Sequence, residues 1–246
     1  KGNYSKAAEL LEESISIKEE LFGAEHPDYL AALSNVGLLY LEEGKYTQSR
    51  PMLELVAETQ QEKWGDEHPV MIDNYLNLAR LEILTGNYPE AEPLLQQAAR
   101  LSLSHFGEDN PKHARVQLEM AKFYFTLGNF TTAKPLLEEV QQVFKDAYGS
   151  FHPDLASAYQ SLASVYEAQD SIELAEQYYR KALDIDENTL GKQHPSYAVT
   201  LSNLATLYQN NDQYDQALPL LEESLSISEQ ILGKEHPFYS TTLLNL

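Results

Sequence analysis

The chain has 246 residues, with 17 basic against 38 acidic side chains and a net charge of −21. That balance repels phosphate backbones and anionic membrane surfaces, which speaks against nucleic acid as a partner. No apolar run approaches the roughly 20 residues of a membrane span, and the absence of cysteine excludes disulfides, thiolate metal sites and a thiol nucleophile and fits a cytoplasmic setting.

Two landmarks recur every 42 residues. The first is Gly-x-x-His-Pro, starting at Gly23, Gly65, Gly107, Gly149, Gly191 and Gly233, with Asn110 in place of histidine once. The second is Gly2-Asn3-Tyr4, Gly44-Lys45-Tyr46, Gly86-Asn87-Tyr88 and Gly128-Asn129-Phe130, weakened to Asp170-Ser171-Ile172 and Asp212-Gln213-Tyr214. A fixed period of this length is the mark of a repeat array, in which each unit packs only on its neighbours. The landmarks cut each unit into two helical segments.

In chain order, residues 1–26 hold the second helix of an incomplete unit, at about 4–22, with Ala7 on its buried side. Complete units follow at 27–68, 69–110, 111–152, 153–194 and 195–236, and a further unit starts at 237–246. Each His-Pro starts a first helix, because proline is pre-shaped for the first helical position. The stripes Leu33/Val36/Gly37/Tyr40, Tyr159/Leu162/Ala163/Tyr166 and Ala198/Leu201/Leu204/Ala205/Tyr208 have helical spacing and predict a buried face. Second helices carry Ala91, Ala133, Ala175 and Ala217 in register and close with a bulky residue before glycine, as in Phe22-Gly23, Trp64-Gly65 and Tyr148-Gly149. Glycine there is expected in the left-handed C′ conformation, and Trp64 in the core. Pro51, Pro93, Pro135 and Pro219, about one turn in, predict a slight kink.

Five of the seven histidines belong to the pentads. Helical hairpins separate them too far for a shared metal ion, so capping of helix starts is the expected role. No nucleophile elbow, phosphate loop or zinc-protease element is present. The sequence therefore predicts a non-enzymatic protein with no metal, cofactor or catalytic residue.

Together the small residue Gly37/Ala79/Ala121/Ala163/Ala205, the tyrosine three positions later, the second-helix alanine and the terminal Gly-x-x-His-Pro resemble the tetratricopeptide repeat, in the 42-residue form of kinesin light chains and their bacterial relatives. Glu82 in place of tyrosine and Tyr178-Tyr179 in place of Leu-Leu depart from that pattern. The resemblance covers the whole chain and implies an all-α, right-handed superhelix of helical hairpins whose concave groove, lined by first helices, binds an extended peptide or partner protein.

The first-helix stripe left outside the core reads Ala31/Ser34/Asn35/Leu38, Asp73/Leu76/Asn77/Arg80, Arg115/Leu118/Glu119/Lys122, Ser157/Gln160/Ser161/Ser164 and Val199/Ser202/Asn203/Thr206. Asn35, Asn77 and Asn203 share one register, continued by Asn245, and the resemblance implies that they reach a peptide backbone. An amide suits this because it both donates and accepts. They are expected to be accessible, with Val36, Leu78 and Leu204 beside them buried. Leu38, Leu76, Leu118 and Phe125 are expected as apolar contacts.

Net charges of −5, −4, +1, −5 and −5 for the complete units single out the third. Arg115 and Lys122 on its stripe, with Arg80 before them, suggest an anchor for a ligand carboxylate. The alternative for these charges is a solvated surface with an Arg115–Glu119 pair. Two rival roles are a regulatory region of a larger multidomain enzyme and end-to-end self-association of array ends.

Overall fold

The computed structural model describes residues 4–234 and 236–246. Gly2, Asn3 and the side chain of Ala7 lie outside the described residues. Among these residues there are twelve helices and no strand: α1 (Tyr4–Phe22), α2 (Pro27–Glu42), α3 (Tyr46–Trp64), α4 (Met71–Leu84), α5 (Tyr88–Phe106), α6 (Pro111–Thr126), α7 (Phe130–Tyr148), α8 (Pro153–Ala168), α9 (Ile172–Thr189), α10 (Pro195–Asn210), α11 (Tyr214–Ile231) and α12 (Pro237–Asn245). The chain forms two compact units, divided between Glu108 and Asp109. In the N-terminal unit α1 packs on α2, followed by the hairpins α2/α3 and α4/α5. In the C-terminal unit the hairpins are α6/α7, α8/α9 and α10/α11, with α12 packed on α11.

The pentad histidines do what their position predicts. Nδ1 of His26, His68, His152, His194 and His236 accepts the backbone N–H two residues on, at 3.1–3.3 Å. Asn110 replaces histidine without loss, since its Oδ1 accepts the Lys112 N–H at 2.9 Å. An imidazole accepting through Nδ1 carries its proton on Nε2. The helix-closing aromatic four residues earlier stacks on this ring: Phe22 on His26 at 4.6 Å, Trp64 on His68 at 5.4 Å and Tyr148 on His152 at 3.9 Å. These aromatics are consequently at the rim, and the core position expected for Trp64 is corrected to 36% exposure. A ring that covers a surface cap cannot also fill the interior.

One helix start departs from the rule. In α4 the bonds Met71 N–H to His68 O and Ile72 N–H to Pro69 O are tight i to i+3 turns, and the α-helix begins only at Met71. The glycines that open the pentads also differ from expectation. Gly65, Gly107 and Gly149 combine φ near +80° with ψ of 166°, 166° and −165°, a mirror-extended region essentially confined to glycine, not the left-handed helical one. At the other landmark Asp170 and Asp212 take φ of 55° and 58°, within the left-handed helical range that aspartate tolerates. This explains why glycine is lost only at the second landmark. The four internal prolines lie on exposed positions and their helices run through them unbroken, leaving the carbonyl each fails to engage on the solvent side.

The main core of the C-terminal unit includes Ala121, Leu137, Phe144, Leu155, Leu162, Ala163, Tyr179 and Ala205. Small first-helix residues allow the helices to approach closely: Ala79, Ala121, Ala163 and Ala205 are fully buried, and a Cβ on Gly37 would come within 2.9 Å of Leu53.

Within the two units, the junction between a second helix and the next first helix uses three chemistries. Arg50 of α3 forms an ion pair with Glu82 of α4, Lys134 of α7 sits 4.7 Å over the ring of Tyr166 of α8, and Tyr208 of α10 donates to Glu176 of α9 at 2.8 Å. These are the same two register positions, and Glu82 is tolerated where tyrosine is usual because Arg50 and Asn87 both donate to it.

The caps can be tested directly. His152→Ala is expected to cost about 1 kcal/mol, the typical value of an N-cap acceptor. His152→Asn should lose less than half of that, because amide oxygen restores the bond as Asn110 does while the stack on Tyr148 is lost. Urea unfolding of the two variants decides this.

Candidate functional site

The candidate site is the outward stripe of the first helices, described for each unit separately. In the N-terminal unit Asn35 on α2 is exposed and Asn77 on α4 half-buried; in the C-terminal unit Asn203 on α10 and Asn245 on α12 are half-buried. Val36 and Leu204 beside them are buried as expected, whereas Leu78 is only half-buried, packed at the edge of the Leu41/Leu53/Leu81 cluster.

These four asparagines differ from all the others described. Asn74 bonds to Gln60, Asn87 to Glu82, Asn188 to Asp184, Asn210 to Glu167 and Asn211 to the Leu207 carbonyl, while Asn110 and Asn129 cap helices. Of the described asparagines, only Asn35, Asn77, Asn203 and Asn245 make no side-chain hydrogen bond. Because an accessible amide with both hydrogen-bonding faces open is ready for a main chain from outside, the register is chemically distinct and not just periodic.

The apolar contacts divide. Leu38 and Leu76 are half-buried and partly accessible, and Phe125 is half-buried against Phe130 with ring centroids 5.5 Å apart. Leu118 is corrected: at 5% exposure it belongs to the core. In the same register Leu76 is half-buried and Ser202 buried, so the packing around each position, not its polarity, sets its exposure.

The basic positions are all internally paired. Arg80 meets Glu42 at 2.5 Å, Arg115 meets Asp154 of the next first helix at 2.7 Å, and Lys122 meets Glu119 at 2.8 Å. The Arg115–Glu119 pair of the alternative reading is thus replaced by two others, and a ligand carboxylate would have to displace an internal acid from each cation. Arg80 lies in the N-terminal unit while Arg115 and Lys122 lie in the C-terminal one.

On α8 the stripe continues into a network that periodicity alone does not reveal. Tyr179, buried in the Leu position of α9, donates to Glu167 at 3.1 Å and lies 3.0 Å from the Ser164 hydroxyl, and Asn210 donates to the other Glu167 oxygen at 3.2 Å. Burial pushes the Glu167 carboxyl above its ordinary range, opposed only by the Tyr179 and Asn210 hydrogen bonds. Glu167 shares the register of Phe125, so the helical frame could have flagged it. Gln160 is drawn the other way, toward Thr200 at 2.5 Å and Asp186 at 3.4 Å.

Among the described residues no group of three histidine, aspartate or glutamate side chains could hold a metal ion, and no helix is long and apolar enough to cross a membrane.

Comparison with known proteins agrees with this architecture. A search of curated proteins returned no match. Among solved structures, BtubC (BKLC) from P. vanneervenii is similar over 95% of this chain and 94% of its own, at 19% identity and a TM-score of 0.70. A putative kinesin light chain with nearly identical repeats from P. anserina is 28% identical, with a TM-score of 0.62 over 83% of this chain and 97% of its own. NprR, solved in complex with its cognate peptide NprX, gives a TM-score of 0.74 at 16% identity, over 96% of this chain and 67% of its own. The models described as tetratricopeptide repeat match residues 1–62, 31–104, 112–188, 156–226 and 196–246, and a second one 76–142. With helical hairpins, pentad caps and family models in one register along the chain, this protein belongs to the tetratricopeptide repeat family.

Proposed function

We propose that this protein is a non-enzymatic scaffold that holds an extended segment of a partner along the first-helix stripe. The observation that carries the reading is the set of open amides: Asn35 with Asn77 in one unit, and Asn203 with Asn245 in the other, each pair on neighbouring first helices. Each amide pairs with a peptide unit of the ligand, and Leu38 and Leu76 supply apolar contact beside Asn35 and Asn77. The crystal complex of NprR with its peptide is consistent with this use of a similar fold. A carboxylate anchor on Arg80, Arg115 and Lys122 is not part of the proposal, since each cation is already matched by an acid of the protein.

Selection of random dodecamer peptides on the whole chain, followed by titration of the enriched peptides, tests the reading. Replacing Asn35, Asn77, Asn203 and Asn245 by alanine is expected to weaken binding at least tenfold. Stability should hold or rise slightly, because the amides bond to nothing inside and alanine is the better helix former by up to ~0.7 kcal/mol per residue. Enriched peptides that bind the quadruple variant with unchanged affinity would remove the amides from the site.

A further inference from the structure

The stripe of the C-terminal unit has a hydrogen-bonding polarity of its own. Ser161 donates its hydroxyl proton to the Ser157 carbonyl at 3.0 Å, and Thr206 to the Ser202 carbonyl at 3.0 Å. Ser164 has two internal acceptors for its one proton, the Gln160 carbonyl at 3.2 Å and the Tyr179 oxygen at 3.0 Å. A hydroxyl whose proton is spent on its own helix offers only lone pairs outward. Next to these acceptors stands Glu167, half-buried, with hydrogen bonds from Tyr179 and Asn210 and no cation within ion-pair distance among the described residues. Arg180, on the same helical hairpin, is committed to Glu176 and Tyr208 at 2.8 Å each.

We infer that the C-terminal unit takes an extended peptide segment bearing a lysine or arginine, whose cationic head is received at Glu167 beside Ser164 while Asn203 and Asn245 hold its main chain. The occupant follows from complementarity. Outward acceptors need donors, which ionised acidic side chains lack and an ammonium or guanidinium supplies in number. A carboxylate that is partly desolvated without a counter-ion gains more from an arriving cation than one already paired. The two stripe cations of this unit are neutralised by Asp154 and Glu119, and the body around them is strongly acidic, so an acidic segment is repelled and a basic one attracted.

This rests on the amide reading, and the experiment separates the two. Dodecamers enriched on the whole chain are sequenced, and the tightest is titrated against the wild type, Glu167→Gln and the Asn203→Ala/Asn245→Ala variant. Glutamine occupies the same register at position 209, so Glu167→Gln is expected to fold, which its helical circular dichroism and unfolding midpoint verify. The expected result is enrichment of lysine or arginine over aspartate and glutamate, a loss of at least tenfold in Glu167→Gln that shrinks as salt is raised, and a similar loss in the asparagine variant. Enrichment of acidic or neutral peptides that need the asparagines but ignore Glu167→Gln overturns the inference and leaves the amide reading in place. Peptides indifferent to both variants overturn both.

Discussion

Replacing Arg50 by alanine is expected to destabilise the protein by about 2–3 kcal/mol at pH 7, less than the roughly 3–5 kcal/mol for removing one partner of a fully buried ion pair. Glu82 is 8% exposed and receives both Arg50 nitrogens, at 2.5 and 3.1 Å, together with the Asn87 amide at 2.7 Å. Without Arg50 a nearly buried carboxylate keeps only its neutral donors. The lower figure follows from the Arg50 side chain being about a third exposed, so that water screens part of the attraction. The Arg50 hydrogen bond holds the Glu82 carboxyl below its ordinary range. Its contribution is therefore present above the unfolded carboxylate pKa and lost as pH falls through the depressed folded value. The gap between wild type and variant, read from urea unfolding, should narrow below about pH 4. Arg50→Lys with Glu82→Tyr rebuilds the pair made by Lys134 and Tyr166 and is expected to recover most of the loss. A gap below about 0.5 kcal/mol at pH 7, the usual size for an unremarkable surface change, would show that the junction does not depend on this pair.

Asp186→Asn should act in the opposite direction. Asp186 is fully buried on α9; one oxygen accepts from Ser196 at 2.9 Å and, at longer range, from Gln160 and Thr200, while the other oxygen has no partner. Burial pushes this carboxyl above its ordinary range, opposed by the Ser196 and Thr200 hydrogen bonds and the nearby His194. A raised folded pKa means that the ionised form is the costly one, so stability rises as pH falls through that value. At pH 7 the full cost stands, and the asparagine variant, which removes the desolvated charge but leaves its amide N–H groups to find an acceptor, is expected to be more stable by about 1 kcal/mol. The advantage should fade with acidification. The same register carries the neutral Gln60, Ser102, Phe144 and Ser228 elsewhere, so the site itself does not demand a charge. Equal midpoints at pH 7 would mean that Asp186 is already protonated or hydrated there.

The helix starts were legible because His-Pro combines a side-chain acceptor with a residue already shaped for the first turn, and both act within a few residues of chain. The four open asparagines were legible for a related reason: a helix fixes the direction of its side chains, so one register means one face. What periodicity could not reach was the second partner. Arg115 and Lys122 share a helical face, but the acid that meets Arg115 is Asp154, 39 residues on, and no intrahelical rule names it. Trp64 aligns with other bulky residues, yet the ring it needs to cover is a surface histidine. Leu118 occupies a boundary position where a modest lean of the side chain decides between interior and surface.

The three junction chemistries also bear on the order in which hairpins can be joined. All the hairpins share one backbone frame, so a chain displaced by one whole repeat, or two chains exchanging hairpins, would meet little steric objection. Charge supplies what shape lacks. Glu82 is satisfied behind Arg50 and would be served behind Lys134, but behind Glu92 or Glu176, which hold the same register, two carboxylates would face each other with one of them nearly out of water. Such a juxtaposition is excluded by repulsion and desolvation together. The residue that departs most from the repeat pattern thereby gives one hairpin a fixed address in an otherwise interchangeable series.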